Sequence, residues 1–186
     1  MRVEELLTEI EPLPFKERCL RLAALRRSAG PSEIAAVLDG LSQGGNYERS
    51  LALFIASAVR DEASLAYLAA ATRDPDNELA CEAIRLGVRF GVDAAPFLDG
   101  LADAPAATRT ALYDAVRKYR RADLADALVD EVAARWGENE AAALLAACSP
   151  EVAAARIDGL AHAVPNWSSV GHAHPGVMLD HAEQRL

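Results

Sequence analysis

The chain's four histidines, His162, His172, His174 and His181, all fall within its last 25 residues. Imidazole is the commonest protein ligand for zinc, so the cluster raises the question of a metal site. Its spacing matches no established His/Cys pattern, HExxH is absent, and the intervening Gly and Pro imply a loop. The histidines therefore read as ordinary surface residues, and no metal is expected. Carboxylate pairs stand at Asp61-Glu62, Asp74/Asp76 and Asp130-Glu131. Two carboxyl groups can divide acid and base work between them. These pairs, however, fall at helix starts, turns or exposed helical faces, where acids cap N-termini and complement the helix dipole. No GxSxG is present, and no motif ties Cys19, Cys81 or Cys148 to a histidine. Gly44-Gly45 is too short for a phosphate loop and lacks the following Gly-Lys-Ser/Thr. The basic runs Arg21/Arg26/Arg27 and Arg117/Lys118/Arg120/Arg121 lie toward expected helix C-termini, where the carbonyl-end partial charge favours cations. No catalytic residue and no cofactor are expected.

The elements that carry these residues are helices. Alanine accounts for 40 of 186 positions, and it is the strongest helix former because it loses no rotamer entropy on folding. Hydrophobic types make up 52% and charged types 25%, enough apolar surface to offset the entropy of ordering the chain. A net charge of −9 disfavours a nucleic-acid partner, since phosphate neutralisation needs a basic excess. The three cysteines are far apart and sit among apolar neighbours, so they read as small core residues in a reducing compartment rather than a disulfide framework. The N-terminus is acidic where a secretory signal would be basic, and no apolar run approaches the ~20 residues needed to cross a bilayer. A cytoplasmic protein with no membrane partner is expected.

Clusters of Gly, Pro, Asp and Asn punctuate the chain at 29–32, 44–46, 74–77, 103–105, 136–139 and 148–150, and no period-two alternation between them supports strands. The tetrapeptide Leu38-Asp39-Gly40-Leu41 recurs as Leu98-Asp99-Gly100-Leu101 and, weakened, as Ile157-Asp158-Gly159-Leu160. Arg49 and Arg109 each follow the opening leucine by 11 residues. Helical segments around Leu68 and Leu128 stand halfway between, so the unit is about 30 residues and holds two helices. The stretch Leu68 to Gly87, LAAATRDPDNELACEAIRLG, resembles the HEAT repeat, with its Asp74-Pro75 turn between two helices and Leu79, Ala83, Leu86 and Gly87 in the second. Ala80 departs from the pattern, which commonly has arginine there; Arg49 and Arg109 fill that place in neighbouring repeats.

This resemblance implies an all-α fold, a right-handed α-solenoid of antiparallel helix pairs, as one domain over residues 1–186. Capping helices are expected over 1–30 and repeats over 31–163, in pairs near 31–60, 62–91, 93–121 and 122–148 with a further helix from about 150. Residues 164–186 read as an irregular segment followed by a terminal helix opening at Pro175, the possible start of another repeat. Neighbouring pairs would bury one continuous core between them.

Superposing the second helices on the register of Arg49, Ala80 and Arg109 gives one helical face two, five, nine and twelve residues later. It reads Leu51, Phe54, Ala58, Asp61; then Glu82, Arg85, Arg89, Val92; then Ala111, Asp114, Lys118, Arg121. In HEAT-like arrays the second helices line the inner curve. The resemblance therefore implies a concave binding face made of Phe54, Glu82, Arg85, Arg89, Asp114, Lys118 and Arg121. Phe54 is either an aromatic anchor in that face or core near the capped end. For Arg49 and Arg109 the resemblance implies a structural role, tying neighbouring turns by pairing with an acid. The functional expectation is a non-enzymatic scaffold that binds a protein or peptide. An alternative is a helical-repeat enzyme resembling DNA-alkylation glycosylases or pigment lyases, and another is the N-terminal arm of a larger protein. A glycosylase would need a basic groove with aromatic and acidic residues at the target base; here Trp136 and Trp167 lie toward the C-terminal end of an acidic chain.

Overall fold

Each cluster of turn residues ends one helix and starts the next, and the reasons are local. Pro31 opens a helix at a position whose N–H would be unpaired in any case. The Asp61 carboxylate caps another by accepting from the Ser64 N–H, and Asp76 a third by accepting from the N–H groups of Glu78 and Leu79. Gly91 closes that third helix in the left-handed conformation, with the N–H groups of Gly91 and Val92 both directed at the Gly87 carbonyl.

The computed structural model describes residues 3–163, and side chains through residue 158. The terminal helix expected from Pro175, Trp167, and the imidazoles of all four histidines lie outside the described residues. Within them the chain forms eleven α-helices and no strand: α1 (Val3–Ile10), α2 (Phe15–Ser28), α3 (Pro31–Ser42), α4 (Asn46–Ala56), α5 (Glu62–Ala71), α6 (Asn77–Phe90), α7 (Ala94–Leu101), α8 (Ala106–Tyr119), α9 (Ala122–Trp136), α10 (Glu138–Leu145) and α11 (Pro150–Ala163). The fold is all-α. None of the described helices is long and apolar enough to cross a membrane.

The chain divides into two compact units, Met1–Val92 and Asp93–Leu186. In the first, α1 packs on α3 and α3 on α5, while α2 packs on α4 and α4 on α6. Contacts of α3 with α4 and of α5 with α6 join these two rows, and between them lie Leu22, Ile34, Leu38, Ile55, Leu68 and Ile84, all nearly fully buried. In the second unit α7 packs on α9 and α8 on α10, with α9 against both α8 and α10, and α11 follows on α10. Its core includes Phe97, Leu112, Leu124, Leu128 and Leu144. Alternate helices forming alternate rows is a pattern compatible with a helical-repeat fold.

The amphipathic division is sharpest in α6. Ala80, Cys81, Ala83, Ile84, Gly87 and Val88 are buried, while Glu78, Glu82, Arg85 and Arg89, spaced by three and four residues, are exposed. Of the three free cysteines, Cys81 and Cys148 are buried and Cys19 is half-buried.

Candidate functional site

The even-numbered helices α2, α4, α6, α8 and α10 carry one register at their fourth residue: Arg18, Arg49, Ala80, Arg109 and Ala141. Each arginine in that place donates to the carbonyl five residues earlier. Arg18 Nε lies 2.6 Å from the Leu13 oxygen, Arg49 Nη1 2.9 Å from that of Gly44, and Arg109 Nη1 2.8 Å from that of Ala104. Another nitrogen of each guanidinium reaches the next even-numbered helix in its unit or the turn before it. Arg18 Nη1 donates to the Tyr47 hydroxyl at 2.8 Å. Arg49 Nε donates to Asp74 at 2.8 Å, just ahead of the Asp76 cap of α6. Arg109 Nε donates to Glu140 Oε1 at 2.5 Å, which also receives the Tyr113 hydroxyl at 2.9 Å, and the guanidinium lies 4.5 Å from the centre of the Trp136 ring. A delocalised planar cation suits this combination of forked hydrogen bond and ring contact. The hydrogen bond from Arg109 holds the Glu140 carboxyl below its ordinary value against the opposing effect of burial, and burial together with the Glu140 bond pushes the Tyr113 hydroxyl up. These arginines hold helices in register. Arg18 belongs to the set although its spacing from Arg49, 31 residues, lay outside the 60-residue recurrence.

A further tie joins α2 to α5. Arg26, buried, donates to the Asp61 carboxylate and, at 2.9 Å, to the Ser64 hydroxyl. Burial pushes the Asp61 carboxyl up, but the Ser64 N–H and hydroxyl and the Arg26 guanidinium outweigh it and leave it below its ordinary value. The carboxylate pairs thus sit at structural points: Asp61 and Asp76 as caps, Asp74 in the turn, and Asp130 and Glu131 on α9 paired with Arg156 and Arg135.

Measured from the same fourth position, the outer row of α4 reads Tyr47, Leu51, Phe54, Ala58. Tyr47 is 44% and Phe54 38% exposed, so Phe54 is not core. The matching row on α2 is Lys16, Leu20, Ala23 and Arg27, with Leu20 59% exposed. On α6 it is Glu78, Glu82, Arg85 and Arg89, all exposed, with Glu82 and Arg85 loosely paired at 3.5 Å. Because α2 packs on α4 and α4 on α6, one face of the first unit presents an aromatic row between a mixed row and an ordered series of two acids and two bases. Val92, at the end of the expected face, is buried instead.

In the second unit Asp114 and Lys118 are exposed on α8, Asp114 paired with Arg117, and Ala111 is buried. Arg121 departs from this row. Arg120 takes the left-handed conformation at the end of α8, so the chain turns and Arg121 becomes the residue that leads into α9, half-buried and forked onto Asp123 at 2.6 and 2.8 Å. The structure therefore brings Phe54, Glu82, Arg85 and Arg89 together on one unit's face, and Asp114 and Lys118 on one helix of the other.

The first unit also contains a cleft of about 440 Å³ on the opposite row, between α3 and α5 and the turn before α6. Alanines of α5, Ala63, Ala66 and Ala70, face Ala35 and Leu38 of α3 across it. Its polar lining includes Asp39, Tyr67, Arg73 and the Arg49–Asp74 pair. The Tyr67 hydroxyl donates to the Arg49 carbonyl at 3.2 Å, and burial with the nearby Asp74 carboxylate pushes it up to about 12, against the pull of Arg49. The only sign of this cleft in the sequence is the spacing of alanines at 63, 66 and 70, which marks a helix face too smooth to fill the gap beside it.

No family model, curated protein or solved structure matches the chain.

Proposed function

We propose that the chain is a HEAT-type helical-repeat array that carries out no reaction, and that its second helices capture a protein or peptide segment. The observation that carries this reading is the coincidence of Leu20, Tyr47 and Phe54 on the outer rows of two adjacent second helices. One exposed apolar residue means little, but several aligned on neighbouring elements beside charged rows form the aromatic-centred, polar-rimmed surface from which binding hot spots are built. The arginine ties support the same reading from another side. A surface whose helices are pinned at each N-terminal turn loses little entropy on ordering when a partner docks, so more of the contact energy is kept as affinity. Charges on α6 then select the partner: a segment with an apolar anchor for Tyr47 and Phe54 and an acidic residue for Arg85 and Arg89 is the complement.

The test is selection of peptides from a random display library on the full chain, followed by titration of the selected peptide against variants. Leu20→Ser with Phe54→Ser, which leaves the Arg18–Tyr47 tie in place, should weaken binding by about a hundredfold, since removing two apolar anchors costs on the order of 3 kcal/mol. Arg85→Glu with Arg89→Glu should weaken it by about tenfold, more at low salt than at high. Circular dichroism must be unchanged in both. Affinity equal to wild type in the Leu20/Phe54 variant would refute the site.

A further inference from the structure

The α3–α5 cleft is independent of the second-helix surface, and the hydrogen-bonding state of its lining specifies a ligand. Its volume of about 440 Å³ falls within the range of about 300–1,000 Å³ usual for small-molecule sites. Arg49 and Asp74 are consumed by each other, and the Asp74 carboxylate accepts in addition from the Asp76 N–H at 2.8 Å. The Tyr67 O–H donates its hydrogen bond to the Arg49 carbonyl, so only the lone pairs of its oxygen remain to meet a donor. Two charges of opposite sign, Asp39 and Arg73, are left over: both line the cleft, both are exposed, and neither pairs with the other among the described residues.

A cationic ligand at this mouth would meet Arg73, an anionic one would meet Asp39, and a neutral apolar one would desolvate both charges without a partner, which is costly. We propose that the cleft binds a small zwitterion with a short apolar body, the chemistry of a free amino acid. Its carboxylate lies on Arg73, its ammonium group on Asp39 with the Tyr67 oxygen as a second acceptor, and its hydrocarbon part against the alanine walls. Methyl-sized walls are what leave room for that hydrocarbon.

Isothermal titration of the full chain with L-leucine, L-phenylalanine and 5-aminopentanoate tests this. For leucine the half-ligands are 3-methylbutylamine and 4-methylpentanoate; for phenylalanine, phenethylamine and 3-phenylpropanoate; for the third, pentylamine and pentanoate. At least one zwitterion should bind saturably at one site per chain, with both of its halves at least about tenfold weaker, the loss expected when one charge-assisted contact is removed. Asp39→Asn and Arg73→Gln should each weaken it by about the same factor. Both residues are exposed, so these charge-removing changes leave the fold intact, which circular dichroism checks. Ala66→Leu, on an exposed position of a helix, should abolish binding by filling the cleft, while Phe54→Ser should not alter it. Absence of saturable binding of all three zwitterions up to about 10 mM, half-ligands as tight as the parent, or binding unchanged in Ala66→Leu overturns the proposal.

Discussion

Replacing Glu140 by alanine should destabilise the second unit by about 2–3 kcal/mol, and most of that loss should vanish once Arg109 is also removed. The side chains of Arg109 and Glu140 are 15% and 26% exposed, so their pairing is screened less than a surface ion pair but more than a dry one. Charge-assisted hydrogen bonds contribute on the order of 1.5–3 kcal/mol each. Taking the lower part of that range for the Arg109 fork, and about 1 kcal/mol for leaving the buried Tyr113 hydroxyl without its acceptor, gives the figure. Arg109→Ala loses the same pair plus the Trp136 ring contact, worth about 1 kcal/mol, and should cost about 3 kcal/mol. In the double variant the shared interaction is counted once, so the two losses should overlap by about 1.5 kcal/mol. Urea unfolding followed by tryptophan fluorescence is the assay, because Trp136 belongs to the second unit and lies against the Arg109 guanidinium. Losses that add to within about 0.5 kcal/mol would mean that the contact contributes nothing, and that Arg109 acts only through its bonds to Ala104 and its ring contact.

Acid should weaken the second unit through the same residue: the Glu140 carboxyl is lowered in the folded state, so its stabilisation is fully present above the ordinary glutamate value and is lost as the pH falls through that value to the depressed one. Urea midpoints at about pH 6 and about pH 3 should therefore converge between wild type and Glu140→Gln; an unchanged gap would contradict this. In the first unit, Asp74→Ala removes the acceptor of both the Arg49 guanidinium and the Asp76 N–H and should cost about 2–3 kcal/mol by urea-dependent circular dichroism, with Asp74→Asn intermediate because the amide oxygen retains one bond. Thiol labelling of the native chain at mild alkaline pH should modify Cys19 first. Burial, with Asp126 and Asp130 close by, pushes the Cys148 thiol up to about 12, so Cys148 should react only on unfolding; equal rates for the two would show that α10 opens readily.

The helices were legible because their punctuation is covalent: Pro31, Asp61, Asp76 and Gly91 each specify a start or a stop within a few residues of themselves. The acid partner expected of Arg49 was also legible in kind, since Asp74 stands in a turn with Pro75 that must lie beside the next helix. Glu140 was not, because it sits 31 residues beyond Arg109 where Asp74 sits 25 beyond Arg49; the same tie is made by different positions of the following pair. Arg18 carries no such signal, because its partner is the hydroxyl of Tyr47 and not an acid. Arg121 leaves the face that uninterrupted helical spacing assigns to it because the chain turns at Arg120, a non-glycine residue at φ 52°, which nothing in the local sequence announces. Exposure of Phe54, and burial of Val92 and Ala111 among charged neighbours, depend on what the adjacent helix covers. The cleft depends on an absence, the small side chains of α5 opposite Ala35 and Leu38 of α3, and an absence leaves no motif.

Helices α9 and α10 are joined by Gly137 alone, at φ 87° and ψ 169°. Trp136 and Glu140, which grip Arg109 from two sides, stand on different helices on either side of this joint, so the opening of that jaw is governed by one pair of torsion angles. A Cβ added at Gly137 would touch nothing within 4 Å; what forbids a side chain there is handedness and not crowding. The mirror image of this backbone conformation is an ordinary extended one. A semisynthetic chain with D-alanine at this position should therefore keep the stability of the glycine chain in urea, whereas its L-enantiomer, identical in size and polarity, should lose stability by straining the joint between Trp136 and Glu140.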